Sequence, residues 1–294
     1  MPSQGGRSVR ARELWGLLEP IHAVIYFAPE AAEAFKEAGY RGFWMGYFAG
    51  RAAPLGEATP ELVQALFYNF TAEHVARALP DAWQFAPPKA ALGARLDGAV
   101  AALARHWGEP EAPGVRRAAD LALRAATGAP IEGRSLAAAN RSLPIPDEPL
   151  AALWHAATLL REHRGDGHVV ALTAAGINGR EAHVLHSLYA AIPAEVYAFA
   201  RRLEDSEWAD IVARLRSRGL IDATGMLTSE GRALKQSIED LTDDLAAPAY
   251  DVLGDAEVDE LTALLRPLAT AVVRAGDIPV KTPIGIDLSD LVSE

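Results

Sequence analysis

The sequence predicts a mainly α-helical chain made of two small helical units in tandem, and three observations carry that expectation. Apolar residues recur at spacings of three and four through most of the chain, the signature of one buried helical face. Prolines, Ser/Thr/Asn/Asp residues and glycines punctuate the pattern at intervals suited to short helices. A pattern near the start also returns in the second half. Ala38-Gly39-Tyr40-Arg41-Gly42, a helix, a later Pro-initiated helix and Trp83 parallel Ala175-Gly176-Ile177-Asn178-Gly179, a helix, Pro193 and Trp208. Such self-similarity is what an internal duplication leaves behind, the first copy carrying extra residues around 54 to 67.

Taken in order, the first predicted helix runs from residue 10 to 26 and puts Glu19, His22 and Tyr26 on one face. Pro29 opens a second helix that ends near Gly39. The stretch GYRGFWMGYFAGRAAPLG then packs four aromatics between Gly42 and Gly50, and as a helix it stacks Trp44, Tyr47, Phe48 and Arg51 on one side. Thr59 and Thr71 cap two further helices, and another leads from Pro88 to Trp107. GEPEAPG, residues 108 to 114, reads as an interdomain linker. It separates an aromatic-rich helical domain, residues 1 to 110, from a second domain, residues 115 to 294. A helix over 115 to 127 follows, and 128 to 149, with four prolines, reads as a surface loop. Leu153, Trp154, Ala157 and Leu160 give a helix over 150 to 162, and HRGDGH at 163 to 168 reads as a break before a helix over 169 to 175.

Residues 178 to 234 carry the sharpest pattern. Asn178 and Glu181 form a capping pair ahead of Val184, Leu185, Leu188 and Tyr189. Pro193 begins a second helix with Val196, Phe199 and Leu203 inward, and Asp205 or Ser206 caps a third with Trp208, Ile211, Val212 and Leu215 inward until Gly219. Leu220-Ile221-Asp222, a turn at Thr224-Gly225 and Met226-Leu227 read as a very short hairpin before Thr228 opens the next helix. The run LRSRGLID, a wing, then LTSEGRAL resembles the MarR-type winged helix-turn-helix regulators over residues 178 to 272. The whole chain also resembles an actinobacterial family of winged-helix proteins. The resemblance implies a winged-helix C-terminal half, and the internal repeat then makes the N-terminal half a divergent winged-helix-like copy. It implies DNA contact through the third helix and the wing. Beyond the wing, Leu234, Ile238, Leu241 and Leu245, then Val258, Leu261, Leu265, Leu268 and Val272, form stripes. These serve either dimerisation, as in MarR-type proteins, or packing on the N-terminal half of the same chain.

The third helix departs from that family where DNA would be read. It opens with Asp205, Glu207 and Asp210, while Arg214, Arg216 and Arg218 sit in its last turns, and the wing Ala223-Thr224-Gly225 has no base. The chain's net charge of -11 adds long-range repulsion from phosphate. DNA binding is therefore expected to be lost, with a ligand-responsive regulator using these arginines as the alternative. Zero cysteines exclude thiolate chemistry and cysteine-held metals. No segment has the length and apolarity of a membrane span, and the N-terminus lacks a signal-peptide core, so a cytoplasmic monomer or homodimer without a membrane partner is expected.

Three constellations carry candidate chemistry. One is the aromatic set of His22, Tyr26, Trp44, Tyr47, Phe48 and Arg51 with Tyr68, Asn69, Phe70 and His74. Another is Arg161-Glu162-His163-Arg164-Gly165-Asp166-Gly167-His168. If the two halves are copies, these sets approach one another. A small planar anion is then expected to bind His22, Tyr26, Trp44, Tyr47, Arg51, Asn69, His74, His163, Arg164 and His168, with arginines for its charge and rings for its body. His183 and His186 form a third, smaller set. No pattern of established metal-ligand spacing is present and no cofactor is specified. A histidine-based enzyme, with a metal or haem, is the rival from another class.

Overall fold

The computed structural model describes residues 4–108, 114–280 and 285–293, so the core of the expected linker, 109–113, lies outside the described residues. It is helical nearly throughout. The N-terminal part folds as α1 (Gln4–Phe27), α2 (Pro29–Glu37), α3 (Gly42–Ala52), α4 (Pro60–Phe67), α5 (Ala72–Ala76), α6 (Ala82–Phe85) and α7 (Pro88–Trp107). Next come α8 (Val115–Gly128), α9 (Ser135–Arg141) and α10 (Pro149–Ala174). The helix-turn-helix unit is α11 (Gly179–Ala190), α12 (Ala194–Arg201) and α13 (Asp205–Ser217), and α14 (Ser229–Ala246), α15 (Asp255–Arg274) and α16 (Ser289–Ser293) complete the chain.

Helix α10 is the axis of the molecule. From Leu150 to Leu160 every residue is buried, which is the pattern of a helix enclosed on all sides rather than one lying on a surface. Helices α1, α7, α8, α9 and α14 pack around it, and α15 lies on α1, α7 and α8. The terminal helices thus pack on the N-terminal half of the same chain. Val258, Leu261, Leu265 and Val272 are buried as their spacing predicts. The α14 stripe is shifted, because Lys235, Ile238, Thr242 and Asp243 face inward while Leu241 is exposed. Polar residues hold that face because Asp243 accepts from Arg12 at 2.5 Å and from Arg164 at 2.9 Å.

Two expectations need correction here. The stretch 163–168 is no break, since α10 runs 26 residues straight through it. Residues 128–149 are not merely a loop, since they contain α9. The two glycines that suggested a turn have separate reasons. A Cβ on Gly167 would lie 2.1 Å from Nη1 of Arg134, a guanidinium pinned by donating to the carbonyls of His163 (2.8 Å) and Leu245 (2.9 Å). A Cβ on Gly165 would meet nothing closer than 3.7 Å. Gly167→Ala should therefore cost about 1–3 kcal/mol by overpacking. Gly165→Ala should gain about 0.5–1 kcal/mol from helix propensity alone. Urea unfolding of the two variants checks this, and equal effects of one sign would refute the assignment.

The helix-turn-helix unit has its own core of Val184, Leu185, Tyr197, Leu203, Ile211, Leu215, Leu220, Ile221 and Leu227. Asn178 and Glu181 form the expected capping box. The hairpin reduces to one antiparallel bridge, Ile221 to Leu227, around a turn in which the Asp222 carboxylate accepts from the Thr224 and Met226 amides. Phe199, expected inward, is 88% exposed, because this short helix turns Tyr197 to the core instead. The unit is fastened to the rest by the segment after α4. Tyr68, at a positive φ of 53°, donates from its hydroxyl to the Ile177 carbonyl at 2.6 Å. Gly179 approaches so closely that a Cβ there would sit 2.1 Å from the Tyr68 carbonyl oxygen. Among the described residues, the N-terminal half shows helices and no β-bridge.

Candidate ligand chambers

Two cavities share a wall of charged side chains. The larger, about 570 Å³, lies between α1, α2, α3, α7 and α10, with Glu33, Lys36 and the half-exposed Phe43 at its mouth. Its floor holds His22, Tyr26, Tyr47, Arg51, Arg95, Trp154, Thr158 and Glu162. Helix α3 can flank it because Gly46 and Gly50 let the Phe35 ring lie against the backbone. A Cβ on Gly50 would fall 2.4 Å from that ring. Trp154, Thr158 and Glu162 reach the floor together because four-residue steps keep one face of α10.

The polar groups of the floor form a directed chain. Thr158 donates its hydroxyl to the Trp154 carbonyl at 3.0 Å, so it accepts from His22 Nδ1 at 2.9 Å, and His22 Nε2 in turn accepts from the Tyr26 hydroxyl at 3.0 Å. His22 is therefore a neutral Nδ1–H tautomer, consistent with a pKa pushed well down by burial and by the Arg161 charge. Burial pushes the Tyr26 phenol up. A neutral phenol and a neutral imidazole can orient a ligand's polar atom, while neither carries charge near pH 7.

The wall is an ion-pair cluster. Arg51 donates to both oxygens of Glu162 at 3.1 Å, and Arg161 lies 3.0 Å from Glu162 and 3.4 Å from Glu19. Burial alone would raise the Glu162 carboxyl, but Arg161 and Arg51 hold it far below the usual range. Arg51 also stacks on Phe67 at 4.2 Å. Arg95 is different. It donates to the Gly50 carbonyl (3.2 Å) and to Asn140 (2.7 Å), has no carboxylate among the described residues' ion pairs, and is pushed down to about 10 by burial. It is the cation of the larger chamber left uncompensated.

Beyond the wall lies a second cavity of about 150 Å³, where α1, α3 and α10 meet α11, α12 and α14. Tyr47 and Arg51 line both cavities, and Asn69, Arg164, His168, His183 and His186 line the second. The structure therefore brings together His22, Tyr26, Tyr47 and Arg51 in one chamber, and Tyr47, Arg51, Asn69, Arg164 and His168 in the other. It does not bring in Trp44, His74 or His163. Trp44 lies edge-on to His74 at 4.3 Å within a cluster completed by Phe48 and Phe70. His163 points to another face of α10, into a void of about 10 Å³. Arg164 is tied to Asp243 and lies 3.9 Å over the Trp15 ring. The sequence singles out neither Arg95 nor Arg201, and it marks Arg161 and Glu162 only as the start of the 161–168 stretch, outside the expected ligand set. The signal for Glu162 is its place four residues after Thr158 and eight after Trp154, visible only once α10 is unbroken.

On α13 and just after it, the expected DNA-contact residues Arg214, Arg216 and Arg218 are exposed, and each also contacts the protein. Asp205 and Asp210 are exposed at the start of α13, and Glu207 is held by Arg180 through two contacts of 2.7 Å. Arg216 donates to the Asp222 carbonyl at 3.0 Å, Arg218 to the Gly176 carbonyl at 3.0 Å, and Arg214 approaches Glu181 at 3.7 Å. No helix is long and apolar enough to cross a membrane among the described residues. Nor do they contain a group of three or more His, Cys, Asp or Glu able to hold a metal. No curated protein and no solved structure is significantly similar to the chain. A family model does match, over residues 11–279, and so takes in both the chambers and α11 to α13. The chain belongs to a helix-turn-helix family.

Proposed function

We propose that this protein binds a small, planar, anionic molecule in the larger chamber, on a winged-helix scaffold of MarR-like build that has lost DNA binding. One observation carries the reading: a cavity of about 570 Å³ with aromatic rings in its lining, whose floor holds Arg95 without a carboxylate partner among the described residues. This is the usual form of a small-molecule site, an apolar body with a few converging polar groups. Tyr47 and Tyr26 supply faces for the planar part, Arg95 and Arg51 meet the charge, and the Tyr26-His22-Thr158 chain fixes a polar atom. The sequence repeat supports an origin by duplication, with the N-terminal half as a copy that dispensed with its wing.

Thermal denaturation of the protein with a panel of one- to three-ring aromatic carboxylates tests the site. A binder at 100 times its dissociation constant should add about 2.7 kcal/mol of stability. The shift should vanish in Arg95→Met and weaken in Tyr26→Phe, both compared with their own unliganded baselines. A shift that survives both variants unchanged places the ligand elsewhere.

Family membership favours a second reading, a ligand-responsive DNA-binding regulator. Against it stand the carboxylates Asp205 and Asp210 where phosphate would lie, and the contacts that Arg214, Arg216 and Arg218 make with Glu181 and with backbone carbonyls. The expected result of a gel-shift titration with the DNA flanking its own gene is no salt-sensitive nanomolar complex. A complex abolished by Arg214→Ala or Arg216→Ala would restore the regulator.

A further inference from the structure

The smaller cavity collects buried polar atoms without a partner among the described residues, two of them guanidinium donors. Buried side-chain atoms without a hydrogen-bond partner include Arg164 Nε, Arg201 Nε, His186 Nε2 and Asn69 Oδ1, and all four of these residues line this one space. The two arginine atoms are obligate donors, and a buried donor left unpaired is destabilising. The carboxylates nearby are already engaged. Glu239 pairs with Lys235 and with Arg164 (3.4 Å), Glu19 takes the Trp15 indole N–H (3.1 Å) and Arg161, and Asp166 accepts from the Ala137 amide at 3.0 Å. Arg201 has no carboxylate among the described residues' ion pairs. It donates only to the Ala200 carbonyl (3.1 Å) and lies 4.7 Å over the Phe70 ring. Its Nε is buried and its charge has no counter-ion among the described residues, beside Arg51, Arg161, Arg164 and Lys235.

We propose that this cavity is a binding site for a phosphate-type oxyanion, held between the helical body and the helix-turn-helix unit by Arg201, Arg164 and His186. A tetrahedral anion offers several acceptors in different directions, which matches donors arriving from α10, α11 and α12, and about 150 Å³ accommodates such an ion with few waters. The site stands apart from the aromatic-ligand reading, since it needs neither Arg95 nor the larger chamber. Its occupant pulls α12 towards α10, so it stabilises the docking of the helix-turn-helix unit that Tyr68 and Gly179 otherwise carry.

The test is thermal denaturation and calorimetric titration of the full chain in phosphate-free buffer, adding inorganic phosphate, glycerol phosphate or chloride at one ionic strength. Inorganic phosphate should raise Tm in a saturable way and titrate with one-to-one stoichiometry, whereas chloride should not. An equal response to glycerol phosphate would assign the site to the terminal phosphate of a larger molecule, and a response to the free ion alone would assign it to the ion. Arg201→Met should abolish the phosphate response while leaving the unliganded protein at least as stable as before, because it deletes an uncompensated charge. Arg201→Lys should retain a weakened response. If chloride matches phosphate, or if Arg201→Met responds like the parent, the cavity is no oxyanion site. Should Arg201→Met fail to fold, the same loss is expected in His186→Phe, and persistence of the response there would overturn the proposal.

Discussion

Between pH 7 and pH 5 the protein is expected to lose most of its stability and unfold cooperatively in mild acid. His74, His155 and His163 are buried and each is pushed down to about 4, by burial first and then by neighbouring arginines. An unfolded chain binds a proton at each of these positions near pH 6.5, while the folded chain refuses it until about pH 4. The unfolded state therefore holds more protons throughout that window, so stability falls as pH falls through 6.5 and the loss is complete near 4. By linkage, lowering the pH from 7 to 5 costs about 2 kcal/mol per histidine, or about 6 kcal/mol for the three. Asp166 opposes this. Its carboxyl is pushed up to about 6 by burial, so it takes up a proton on folding and returns about 1 kcal/mol over the same range. His22 and His183, both lowered well below their ordinary value by burial, add to the loss. The sum is comparable with the whole stability of an ordinary domain, about 5–15 kcal/mol. Urea unfolding at pH 7, 6 and 5 measures it.

His74 gives the variant arm of that experiment. Neither of its ring nitrogens has a partner, and Trp44, Phe48 and Phe70 enclose it. His74→Leu should be at least as stable as the parent at pH 7 and should lose less stability by pH 5. A flat stability profile from pH 6.5 to 5 in the parent would mean that these imidazoles carry charge in the folded state, against the burial seen here.

The same residues show what sequence patterning conveys and what it does not. Helix α7 begins and ends where Pro88 and Trp107 place it, and α11 starts at the capping box read from Asn178 and Glu181, because caps and first-turn prolines act through local backbone geometry. The floor of the larger chamber is half legible, since His22 and Tyr26 share a face of one helix. Its other half lay hidden in α10, where Gly165 and Gly167 looked like a turn. A glycine that yields to an arginine from another helix looks the same in sequence as one that bends the chain. Only the distance from Arg134 separates them. Likewise Arg95 and Arg201 carry no local mark, because their lack of a carboxylate is a property of the packed whole.

The second large effect is an asymmetry across the wall between the chambers. Glu162 is the carboxylate of two arginines, Arg51 at 3.1 Å and Arg161 at 3.0 Å, and is itself almost wholly buried. Arg161 has Glu19 in reserve, whereas Arg51 has no other carboxylate among the described residues' ion pairs. Glu162→Gln therefore strands a buried guanidinium and should cost about 3–5 kcal/mol, the usual penalty for breaking such a pair from one side. Arg51→Met should cost less, because Glu162 keeps Arg161 and the methionine keeps contact with Phe67. The same variants separate structure from binding. In Glu162→Gln one carboxylate oxygen becomes an amide nitrogen, so Arg51 keeps one acceptor but gains a free donor and an uncompensated charge at the edge of the larger chamber, and the variant should bind an aromatic carboxylate more tightly per folded molecule although the protein is less stable. Denaturant midpoints give the first quantity and calorimetric affinities the second. If Glu162→Gln is no more destabilising than Arg51→Met, the wall is not organised around Glu162. If its affinity falls, Arg51 is a strut for the chamber and not a latent anchor for its ligand.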